Sequence, residues 1–73
     1  MVKNGDKKFG KFIANRRKKV EQTIENFAKF LNKSEKMIKD YESGKKPFPE
    51  RRLYELSIFL EMPLHKLMEE YCV

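Results

Sequence analysis

The chain has little of what staples a small domain together. Its one cysteine, Cys72, cannot close a disulfide within the chain, and its one histidine, His65, sits apart from it. Neither stands in a metal-ligand spacing, so a disulfide framework and a structural zinc site both drop out, and a reducing compartment follows. His65 has no nucleophile or second ligand near it in sequence and is expected at the surface. With three glycines in all there is no glycine-rich phosphate loop. Glu69 and Glu70 suit a solvated face better than an acid–base pair. No catalytic constellation, metal site, cofactor motif or small-molecule site is visible, so a non-enzymatic protein is expected. No apolar run approaches the roughly 18 residues of a membrane span. The polar, basic start from Met1 to Lys8 lacks the apolar centre of a signal peptide, so a soluble, cytoplasmic protein is expected. Strand-forming residues are scarce: Thr23 is the only threonine, Val2, Val20 and Val73 are the only valines, and no β-branched run alternates.

Charge is abundant and unevenly spread. The net charge is +6, but residues 1–20 carry eight bases against one acid, and residues 45–52 four against one. Residues 53–73 reverse the balance, with one base and four acids. A basic front and an acidic tail suggest one surface that meets a polyanion and another that does not. At 73 residues the chain makes a single domain, whose limited core must be efficient or shared with a partner.

Apolar residues recur at helical spacing, and the breaks between them are marked. Lys7–Lys19 carries Phe9, Phe12 and Ile13 on one side, with Val20 after it and a basic extension, 1–8, overlapping its start. Thr23 offers an N-cap to the stripe Ile24, Phe27, Ala28, Leu31, and Asn32 is a residue suited to a left-handed stop. Ser34 is the next N-cap, Met37, Ile38 and Tyr41 the next apolar set, and Gly44 the next stop. Pro47 and Pro49 make Lys45–Pro49 a loop. Glu50–Glu61 carries Leu53, Leu56, Phe59 and Leu60; Pro63 restarts the chain, and Leu64, Leu67, Met68 and Tyr71 close it. Tyr41, Tyr54 and Tyr71 are expected to pack rather than to stack on bases. The pattern is all-α, five short helices, with a helix-turn-helix at about 23–44 because the three-residue break Asn32–Ser34 makes its two helices cross steeply.

The order of four pieces carries a resemblance: IANRR in the first helix, TIENFAKFLNKS across the second helix and turn, MIKDYESGKKP through the third, and PERRLYELSIFLEMPLHKL at the end. From Phe9 to Met68 the chain resembles the Cro-like, xenobiotic-response-element (XRE) family of helix-turn-helix regulators, with the lambda-repressor-like fold. The resemblance implies that the third helix enters the major groove of double-stranded DNA. Its outward positions are then Ser34, Glu35, Lys36, Lys39 and Asp40. Lys36 would donate to guanine and Glu35 accept from cytosine. Ser34 and Thr23, at helix starts, would meet phosphate, and Ser43, Lys45 and Lys46 would clamp the backbone beyond the reading helix. The resemblance also implies a structural ion pair between Arg17 and Glu42. The chain departs from the family pattern at Ile24, where a glutamine is usual, at the acids Glu35 and Asp40, and at Glu61, where a glycine is usual.

Together these features imply a sequence-specific transcriptional regulator, a repressor acting as a homodimer with its two reading helices roughly 34 Å apart. The last helix, through Leu64, Leu67, Met68 or Tyr71, is the expected dimer surface. The alternative is a protein-interaction module on a degenerate fold of the same kind, because an acidic reading face disfavours phosphate.

Overall fold

The computed structural model describes residues 4–71, and side chains from residue 6 onward. Five α-helices and one 3-10 turn make up the described chain, with no strand among these residues: α1 (Asn4–Lys19), α2 (Ile24–Leu31), α3 (Glu35–Ser43), the turn Glu50–Arg52, α4 (Leu53–Phe59) and α5 (Leu64–Tyr71). α3 packs on both α1 and α2, and α5 closes the other side against α1 and α4. No helix among the described residues is long and apolar enough to cross a membrane.

α1 starts earlier than the expected Lys7. Residues 4–8 are helical rather than an extension, with Asp6 in the first turn, where a negative charge suits the helix dipole. Residues 1–3 and Cys72 lie outside the described residues. What fixes α1 is its contact with the end of α3. Gly10 is buried there, and a Cβ at this position would collide with the Tyr41 carbonyl oxygen and come within 2.6 Å of that of Glu42. At the far end of the same contact, a Cβ on Gly44 would stand 2.5 Å from the Lys7 Cα. The two helices touch backbone to backbone, which only glycine permits.

The ends of α1, α2, α3 and α4 follow one hydrogen-bonding scheme. One or two residues past each helix end stands a left-handed residue: Glu21 (φ 60°), Asn32 (φ 57°), Gly44 (φ 79°) and Glu61 (φ 55°). Its amide bonds back three residues, and the next amide bonds back five: Gln22 to Arg17 and Lys33 to Ala28, then Lys45 to Asp40 and Met62 to Ser57. This double bond satisfies the carbonyls a helix end leaves over. Arginines take others: Arg52 donates to the Leu31 carbonyl at 2.8 Å, Arg17 to that of Gln22 at 2.7 Å, and Arg16 to those of Leu60 and Glu61 at 2.8 and 2.7 Å.

The core gathers Phe9, Ile13, Phe27, Ala28, Leu31, Ile38, Tyr41, Leu53, Leu56, Phe59, Leu60 and Leu67 around one loop residue, Phe48. Phe48, between two prolines, is buried against Phe9 and Tyr41, and its carbonyl accepts from the Tyr71 hydroxyl at 2.7 Å. Of the four residues expected at a dimer surface on the last helix, the chain's own core takes up most. Leu67 is fully buried, Leu64 and Tyr71 pack on the core, and only Met68 is substantially exposed. The reason is that α1 and α4 leave a gap which α5 fills. Tyr54 is also corrected: it is exposed, not packed, whereas Tyr41 and Tyr71 pack as expected. His65 is exposed.

Candidate nucleic-acid interface

The starts of α2 and α3 are built alike. Thr23 is extended, and its hydroxyl oxygen accepts from the Asn26 amide at 3.0 Å; Ser34 is extended, and its hydroxyl oxygen accepts from the Met37 amide at 3.2 Å. Each cap leaves the hydroxyl proton free to donate, and each sits where the helix dipole favours an anion. The link between them is short because Asn32 turns the chain in the left-handed region, where asparagine is among the least strained of non-glycine residues.

Burial on α3 divides its residues cleanly. Ile38 and Tyr41 face the core, and Ala28 on α2 is small where the two helices meet. Ser34, Glu35, Lys36 and Lys39 are exposed, as are Lys33 in the turn and Ser43, Lys45 and Lys46 beyond the helix. Asp40 is not outward-facing, contrary to the sequence expectation: it is 7% exposed. Its carboxylate lies 3.6 Å from the Lys36 ammonium, one turn back, and its main-chain oxygen accepts from the Lys45 and Lys46 amides and the Ser43 hydroxyl. Asp40 therefore belongs to the turn that closes α3. It also holds Lys36, whose side chain is otherwise exposed, over the helix surface.

Arg17 and Glu42 are brought together across α1 and α3. Arg17 Nε donates to Glu42 Oε2 at 2.7 Å and Nη2 to Oε1 at 3.2 Å, a two-pronged pair with both side chains about nine-tenths buried. This pair, with Gly10, fixes α3 on α1. A second two-pronged pair, Arg52 with Glu55, has bonds of 3.2 and 2.9 Å. Its hydrogen bond holds the Glu55 carboxyl below the ordinary glutamate value. Burial pushes the neighbouring Tyr41 phenol up, partly opposed by the charge of Arg52.

Sequence spacing does not place Lys7 in this site, and the structure does. Through the Gly10 and Gly44 contacts, the start of α1 lies beside the end of α3, so Lys7 adjoins the loop that carries Lys45 and Lys46. The signal that points there is Gly10, an unexplained glycine inside a helix. No protein-family model matches the chain, and no curated protein matches it.

Proposed function

We propose that the chain is a DNA-binding regulator of the helix-turn-helix, XRE-like kind, with α3 as the reading helix. The observation that carries this is the exposed edge Lys33–Lys36 and Lys39 at the start of α3, bordered by two capped helix starts and by Lys7, Lys45 and Lys46. Phosphates would bind at the helix starts and at the lysines beyond Gly44, positioning Lys36 and Glu35 over base edges. The burial of Asp40 removes one of the two acids that would repel phosphate, and Glu35 can accept from cytosine.

The protein works as a homodimer in this proposal, because one module of this size makes few contacts with DNA. Its Cα trace spans 26 × 26 × 21 Å, so two copies side by side, side chains included, fit a spacing near ~34 Å. A suitable surface lies on α2 and α4 rather than on α5. Phe30 and Ile58 are exposed there, and Lys29 and Glu61 line the same surface. A two-fold axis through such a patch sets the apolar pair of one copy against that of its partner. Repression by occupying the operator, in the cytoplasm, completes the proposal.

The test is salt titration of binding to a random duplex. Contact with several phosphates gives a slope of log affinity on log salt of about −0.9 per phosphate. A protein-interaction module, the competing possibility raised by exposed Phe30, Tyr54 and Ile58, gives weak binding at any salt.

A further inference from the structure

A cleft of about 420 Å³ lies between α1 and α5, lined by the apolar Phe12, Met62 and Pro63, the bases Arg16, Lys19 and Lys66, and also Asn15 and Glu70. Its floor is apolar and its charged lining is three bases to one acid. We infer that this cleft is a binding site for a small organic anion with an apolar body, an aromatic or short aliphatic carboxylate being the simplest case.

Three features converge on that chemistry. The first is Arg16. Its guanidinium is pinned by the Leu60 and Glu61 carbonyls, at 2.8 and 2.7 Å, which uses two of its five N–H groups. The remaining donors have no protein partner among the described residues and belong to a group already fixed in place. A ligand therefore meets an ordered cation and does not have to order it. The second is the pair Lys19 and Lys66, exposed, on facing helices, and within ion-pair distance of no carboxylate among the described residues. The third is the floor of Phe12, Met62 and Pro63, which gives an apolar body a surface to cover. The volume lies within the range of small-ligand sites and is too small for a partner helix.

The cleft is also independent of the proposed DNA face. On α1, Gly10 and Arg17 face α3, while Phe12, Arg16 and Lys19 fall on the opposite side at 100° per residue. A ligand here would bridge α1, α5 and the turn residues Met62 and Pro63 without touching α3.

The test uses 2-naphthoate, with 2-naphthamide as its uncharged counterpart and acetate as its head group alone, in amide-resolved NMR titrations of the whole chain. The expected result is saturable shifts confined to residues 12–19 and 62–70, with a dissociation constant on the order of 1 mM or below. The amide should bind at least about tenfold more weakly, and acetate should give no saturation. K19E/K66E, two exposed positions that leave the core intact, should weaken naphthoate about tenfold, since each lost ion contact is worth up to a factor of about five. R51E, a charge reversal outside the cleft, should leave the affinity unchanged. The inference is overturned if no saturable shifts arise in these segments, if the amide binds as well as the acid, or if K19E/K66E binds naphthoate like the native chain. DNA binding is measured separately, so the two proposals fail independently.

Discussion

The residues that settle this structure are few, and two are side chains whose removal leaves something stranded. Arg17 and Glu42 are nearly buried and satisfy each other, with Arg17 also holding the Gln22 carbonyl. Replacing Arg17 with methionine keeps the bulk but leaves a carboxylate without its partner. The cost for a well-buried pair is about 3–5 kcal/mol, and the slight exposure of both groups points to the lower end. Urea denaturation of R17M measures it; a loss below about 1 kcal/mol would mean that the pair behaves like an exposed one. Gly10 is the opposite case, where adding an atom does the damage. G10A improves helix propensity, yet its Cβ meets the carbonyls of Tyr41 and Glu42, which are backbone and cannot swing aside. The overlap outweighs the gain, and a net destabilisation of about 1–3 kcal/mol is expected, again from denaturation midpoints. A stabilised G10A would show that α1 and α3 do not approach as closely as they do here.

Helices end well or badly according to the residue forced into the left-handed region, and this chain does both. Asn32 and Gly44 suit the conformation and were legible as stops for that reason. Glu21 and Glu61 do not suit it, and a sequence pattern alone gives no sign that a glutamate will adopt it; Pro63 marked a break near Glu61, and only the resemblance, through the usual glycine at that position, pointed to Glu61 itself. The left-handed region costs an ordinary residue roughly 1–2 kcal/mol, part of which a glycine gives back as greater freedom of the unfolded chain. E61G and E21G should therefore each raise stability by about 0.5–1 kcal/mol, read as a higher thermal midpoint. E61G should do so even though the Arg16 bond is to the main chain at that position, because glycine keeps the carbonyl. Neutral or lower midpoints in both variants would contradict the shared turn geometry. The same scale shows where periodicity succeeds. The stripes of α2 and α3, with Thr23 and Ser34 capping them, follow from local spacing alone. Phe48 between prolines, Asp40 folded into the turn after α3, and the early start of α1 depend on contacts between distant segments, which spacing along the chain does not record. The same holds for α5, whose apolar face looks available until α1 and α4 are in place.

At the scale of the molecule, the charge asymmetry of the sequence becomes a surface. The basic start of α1 is carried to the basic loop after α3, joining Lys7 to Lys45 and Lys46 across nearly forty residues of chain. Of the large apolar residues left outside the core, Phe30, Tyr54 and Ile58 lie on α2 and α4 and Met68 alone on α5, which moves the proposed dimer contact to Phe30 and Ile58. Ile58 is more than half exposed, so I58D should fold normally while placing a charge in that contact. Sedimentation at high micromolar concentration should find the native chain associating and I58D monomeric; identical behaviour would remove this patch from the proposal. The central claim is that α3 reads DNA while the lysines beyond Gly44 hold it. It is tested most directly by titrating the native chain, K36A and K45A against a duplex selected from a random pool and against an unselected one, at several salt concentrations. K36A should lose about 1–3 kcal/mol on the selected duplex and little on the unselected one. K45A should weaken both alike and lower the salt slope by about one unit. Equal losses for K36A on both duplexes would make Lys36 a phosphate contact and displace the reading helix, and a native chain with no salt-dependent binding to either would contradict the account as a whole.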